Sequence, residues 1–170
     1  MIAVALVACS SAGAEPGAPP VAGGHRPAGW KQLPLVARAV ASAAASDGVI
    51  IDAVDAWGEP ALGCYGVWLD LHGGTATAAV LADQVIDSLS RRDGSAGPRG
   101  ALAVDDLVRP SGADGVLAFQ FAAPPYRGRV RAQLSSGRIS AIACFRNHRT
   151  PAVCDAACAD VLGRVPGAAR

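Results

Sequence analysis

Residues 138–162 read RISAIACFRNHRTPAVCDAACADVL. The stretch passes from a strand through a turn into a short helix. Ile139, Ala141, Ala143 and Phe145 alternate with Ser140, Ile142 and Cys144. That is a period of two with apolar residues on both sides, the pattern of a strand buried inside a sheet. Thr150 is placed to cap the following helix, and Pro151 suits its first position because the missing N–H has no intrahelical partner there. Val153, Cys154, Ala157, Cys158, Val161 and Leu162 then form one stripe at helical spacing. Gly163 falls where a left-handed C-terminal residue is expected.

Three of the five cysteines lie in this stretch. Cys154 and Cys158 share a helix face, with Cβ atoms ~5–6 Å apart, beyond the reach of an easy bond between them. Each needs a partner, and Cys64 and Cys144 are available. Cys144 lies ~10 Å back along the strand from the turn, and Cys158 ~10 Å along the helix. Matched depth favours Cys144–Cys158 with Cys64–Cys154; the swapped pairing stays open. Zinc is the alternative use of these sulfurs, with Cys144, His148, Cys154 and Cys158 as ligands. Their spacing matches no common zinc signature and contains no CxxC knuckle.

Upstream of the anchor strand, 127–134 alternates, with Val130, Ala132 and Leu134 facing in and Arg127, Arg129, Arg131 and Gln133 facing out. Ser135-Ser136-Gly137 makes the turn between the two strands. Residues 116–121 form a further strand, joined to 127–134 by the stiff Pro124-Pro125 connection, so 116–146 reads as a three-stranded antiparallel meander. Further strands are expected over 101–108, 64–71 and 49–53, with Trp57-Gly58-Glu59-Pro60 as a turn or loop. Helices are expected over 33–45, opened by Pro34, and from 78 to 89, where Ala78, Leu81, Ala82, Val85, Ile86 and Leu89 form a continuous stripe. The implied fold class is α+β: an antiparallel sheet of about five or six strands, helices packed mainly on one face, and a C-terminal helix disulfide-linked to the sheet.

The order of elements across residues 64–162, a helix, an antiparallel meander and a terminal helix, resembles PsbP-like domains. The hairpin that this fold places first is not legible upstream. The resemblance implies a binding or assembly-support role rather than catalysis.

The chain opens MIAVALVAC. Ile2–Ala8 is apolar but far shorter than the ~20 residues of a membrane span. Leu6-Val7-Ala8-Cys9 resembles the lipobox of bacterial lipoproteins, although no Lys or Arg precedes the apolar run. The resemblance implies a diacylglyceryl group on Cys9, attachment to the membrane through that lipid, and residence in the cell envelope. Ala12-Gly13-Ala14 offers another cleavage site that would release a secreted protein, and an unexported chain is the third reading. Removing Cys9 leaves four cysteines, the count for two bridges, and stable bridges belong to oxidising compartments. Residues 10–29 are rich in Pro and Gly and without period, the composition of a tether. The expected organisation is therefore a signal segment over 1–9, a tether over 10–29, one globular domain over 30–165 and a tail over 166–170.

The formal net charge is +1, which gives no reason to expect nucleic acid as a partner. Lys31 is the only lysine, leaving no second one for a Ser–Lys or Schiff-base site. The chain has no G-x-S-x-G, no phosphate loop and no haem-attachment motif. His72 near Asp70 is the nearest approach to a catalytic pair, and no catalytic residue, metal or cofactor is expected. Arg127, Arg129 and Arg131 place three charges on one strand face; with Tyr126 and Trp57 they form the candidate interaction surface. A solvated outer face that discourages strand aggregation is the competing explanation. Expected functions are, first, a non-enzymatic envelope lipoprotein acting through protein interaction or assembly support, and second, a secreted or periplasmic module holding a small ligand between sheet and helices. A small hydrolase comes third.

Overall fold

The alternation at 139–145 belongs to a ten-residue strand with neighbours on both sides. The computed structural model describes residues 26–46, 50–72, 75–91, 103–135, 137–147 and 153–164. Seven strands form one antiparallel sheet: β1 (Lys31–Gln32), β2 (Ile50–Glu59), β3 (Cys64–His72), β4 (Ala103–Val108), β5 (Gly115–Ala123), β6 (Tyr126–Ser135) and β7 (Arg138–Asn147). Their order across the sheet is β1-β2-β3-β7-β6-β5-β4. Among the described residues three α-helices accompany them: α1 (Pro34–Ser46), α2 (Ala78–Arg91) and α3 (Val153–Leu162).

The meander β5–β6–β7 is present and is extended on both sides. On one side β4 pairs with β5; on the other β3 pairs with β7 along its whole length. β2 and β3 pair as an antiparallel hairpin. A short 3-10 turn, Pro60–Leu62, joins them, and Gly63 at φ 64° supplies the left-handed residue that closes it. The expected count of five or six strands is therefore corrected to seven. The extra strand is β1, a two-residue bridge against Trp57 and Gly58, too short to carry a periodic signal.

One face of the sheet holds the larger core. Val54 and Ala56 of β2, Val67, Leu69 and Leu71 of β3, and Ile139, Ala141, Ala143 and Phe145 of β7 point into it. Leu117, Phe119 and Phe121 of β5 and Val130, Ala132 and Leu134 of β6 complete the sheet side. α1 covers this face with Val40, and α2 with Ala78, Leu81, Ala82 and Val85. The α2 start is fixed to the sheet ends, since Ala78 N–H donates to Ala113 O and Gly137 N–H to Ala76 O. Gly128 lies where Phe121 and Phe145 close over the strand: a Cβ there would stand 2.8 Å from the Phe121 ring and inside contact distance of Cys144 O.

α3 packs on the opposite face, where Cys158, Val161 and Leu162 meet Trp57, Trp68, Ile142 and Cys144, with Trp30 at the margin. Two helices thus share a face and the third covers part of the other, a layered arrangement with the sheet between. The reason is the parity of β7: Cys144 and Ile142 face away from the large core, so a helix bridged to Cys144 must follow them. Val153, assigned to the buried stripe, is 57% exposed. Gly163 does not take a left-handed conformation; its N–H still reaches Ala159 O at 3.0 Å and continues the helix.

Candidate interaction surface and the bridged helix

The α3 side of the sheet carries the candidate site, and register places each residue on it. Across β6 and β7, Arg127 stands opposite Arg146, Arg129 opposite Cys144 and Arg131 opposite Ile142. On the other flank, β5 sets Ala122, Gln120 and Ala118 opposite the same three arginines. The row is spaced at ~7 Å, two strand residues per step. Arg127 and Arg129 are exposed and Arg131 is half-buried. Among the described residues, neither Arg127 nor Arg129 has a carboxylate partner, whereas Arg146 Nε donates to Asp155 Oδ1 at 3.1 Å across to α3. α3 packs on β7 and touches β6, so the β5–β6 part of this face is left to side chains of intermediate or full exposure.

At the edge, Asp105 pairs with Gln120, and the strand then bulges through Asp106, whose φ is 51°. Gln120 Nε2 donates to Asp106 Oδ2. The bulge and two carboxylates interrupt the free edge of β4, the usual defence of an edge strand against adding another.

Two residues expected on this surface are elsewhere. Trp57 is fully buried, at 0% exposure, because it lies within β2 opposite Gly66 rather than in a loop. It packs beneath α3 and cannot meet a partner while α3 is docked. Tyr126 falls on the other face of β6, where its ring packs edge-on against Phe145 at 5.7 Å and Tyr65 at 6.1 Å. The basic row therefore has no aromatic companion from either residue.

The structure joins Cys64 to Cys154 and Cys144 to Cys158, with Cα–Cα distances of 5.7 and 5.5 Å, inside the range that bridges require. This is the pairing favoured by matched depth along strand and helix. It removes the zinc alternative, since the thiolates that a zinc site needs are bound to one another. Among the described residues no group of three or more His, Cys, Asp or Glu side chains could hold a metal.

At the other end of β3, ~27 Å from Cys64 along the strand, lies a charged cluster that the sequence does not announce. His72 Nδ1 lies 2.6 Å from Asp52 Oδ2, and Arg138 Nη2 donates to Asp70 Oδ2 at 2.6 Å. The partner of His72 is thus Asp52, brought near by the register shift between Ile51 and Ala53, and not Asp70. His72 and Arg138 are more than half exposed, so these pairs add little to stability. Asp55 is the only buried charged residue among those described. Its Oδ1 accepts from Ala56 N–H at 2.8 Å and from Gln32 Nε2 at 3.3 Å, which ties β1 to the sheet.

The lipobox with Cys9, the tether before residue 26, His148 and the tail over 166–170 lie outside the described residues. Among the described residues no helix is long and apolar enough to cross a membrane. Compared with protein-family models, with curated proteins and with solved structures, the chain matches none.

Proposed function

We propose that this chain is a non-enzymatic, exported lipoprotein of the cell envelope, anchored by lipid at Cys9, which acts through protein interaction or assembly support. The observation that carries the interaction reading is the basic row on the open part of the α3 face. Arg127 and Arg129 are exposed in fixed register, with no carboxylate partner among the described residues. Such a surface fits an acidic protein partner. Charge complementarity of this kind gives orientation and a fast encounter more than raw affinity.

A partner surface is favoured over a small-ligand pocket by the space between sheet and helices. The buried residues there are apolar and 0–6% exposed, from Leu117 and Ala132 at 0% to Ile139 at 6%. A ligand site would call for polar groups converging on a cavity. Export is supported by the two bridges, which persist in oxidising compartments.

Two experiments test the proposal. Intact mass of membrane-fraction protein should show a chain beginning at Cys9, carrying lipid, with four hydrogens missing for two bridges. An unprocessed, fully reduced chain in the cytosol would refute export. For the surface, a photo-crosslinking residue at Ala122, exposed beside the row, should give one discrete protein adduct in cells. The same residue at Val80 on α2 should give none. The adduct should vanish in the R127E/R129E variant; an adduct indifferent to that charge reversal would show that the row is only a solvated face.

A further inference from the structure

α3 buries four side chains, Cys154, Cys158, Val161 and Leu162, and two of those are half-cystines. At ten residues it is shorter than the ~12–15 at which an isolated helix becomes even marginal in water. An ion pair joins α3 to the sheet, from Arg146, 15% exposed, to Asp155, 52% exposed, and solvent at the acid screens it. No residue of α3 belongs to the large core on the opposite face, and no strand of the sheet takes its ladder hydrogen bonds from α3. The two bridges run from α3 to adjacent central strands, β3 and β7. Beneath the helix lie Trp57, Trp68 and Ile142, at 0%, 7% and 0% exposure.

We infer that α3 is a redox latch: it docks only while its bridges are closed, and when both are reduced it leaves the sheet and uncovers the Trp57–Trp68–Ile142 face. The large core and the sheet ladder stay intact in both states. The opening reaction is thiol–disulfide exchange with a dithiol. A thiolate of the dithiol attacks one half-cystine sulfur, and the partner sulfur leaves as a thiolate and takes a proton. The second thiolate of the dithiol then expels the remaining protein sulfur. Each bridge opened yields two protein thiols and one reagent disulfide. Closure is the reverse and consumes a disulfide oxidant that accepts two electrons and two protons per bridge. Docking of α3 is therefore the last step of maturation, and a disulfide-donating reaction must precede it. The inference concerns the domain alone and does not depend on lipid at Cys9 or on the basic row.

The test uses the folded full-length protein treated with dithiothreitol under native conditions, with mass confirming the gain of four hydrogens. Hydrogen exchange is then read segment by segment. Amides over 154–164 should lose roughly 30- to 1,000-fold of their protection and exchange almost freely, while amides of β5 and β6 still exchange slowly, and tryptophan emission should shift to the red as Trp57 and Trp68 meet water. Two results would overturn the latch. If α3 stays protected with all four thiols free, packing holds it without the bridges. If β5 and β6 come to exchange as freely as α3, the bridges hold the whole fold rather than one helix.

Discussion

Gly128 and Asp55 are each held in place by one or two atoms that can be named. A methyl group at 128 has no room between the Phe121 ring and Cys144 O, so Gly128→Ala should cost about 1–3 kcal/mol through overpacking, read as a lower urea midpoint. Asp55→Ala leaves the buried Ala56 N–H without its 2.8 Å acceptor and should cost about 1–3 kcal/mol by the same measurement. Asp55→Asn keeps an acceptor oxygen and should cost less. Arg129→Gln should change stability by no more than about 0.5 kcal/mol, because the side chain is exposed and has no ion pair among the described residues. The faces of Arg127, Arg129 and Arg131 were legible because a strand alternates whatever surrounds it. Trp57 was not. Gly58-Glu59-Pro60 carries turn chemistry, yet Pro60 alone ends the strand, since pairing with β3 continues through Glu59 opposite Cys64.

At the scale of elements, α1 follows from Pro34 at its start and α2 from its apolar stripe, and β5, β6 and β7 from alternation and their turns. The face occupied by α3 follows only once Cys144 is known to point away from the large core. Spacing around a helix says that it has a buried side; it does not say which surface of a sheet receives it. The two bridges differ in the loop each closes, 90 residues apart for Cys64–Cys154 and 14 for Cys144–Cys158. If restriction of the unfolded chain dominates, replacing Cys64 and Cys154 by alanine should cost about 1–2 kcal/mol more than replacing Cys144 and Cys158. Denaturant unfolding of the two double variants, each with its other bridge intact, measures the difference. An equal cost would assign the stabilisation to native contacts instead.

For the molecule as a whole, the decisive pairing is β3 with β7, which joins residues far apart in sequence, such as Leu71 with Ile139 and Cys64 with Arg146. No local pattern encodes that contact, and it is what turns a hairpin and a meander into one sheet. It also shares the large core between the two parts of the chain: Val54, Val67 and Leu69 pack in the same cluster as Leu117, Phe119 and Val130. Neither part can bury those side chains alone, and each would expose the edge that β3 or β7 now covers. The oxidised domain should therefore unfold in a single transition, with tryptophan emission, which reports Trp57 of β2, Trp68 of β3 and Trp30 before β1, coinciding with far-UV circular dichroism, which reports all elements. Fragments 26–91 and 103–164 should each lack stable sheet signal when separate. Pairing of such distant strands pays loop closure before it gains contacts, so refolding with the bridges intact should fall in the slow, millisecond-to-second range of non-local β topologies. Two separated transitions, or a fragment 103–164 that folds by itself, would show that the meander is an independent unit and that the β3–β7 seam joins finished parts rather than creating the core.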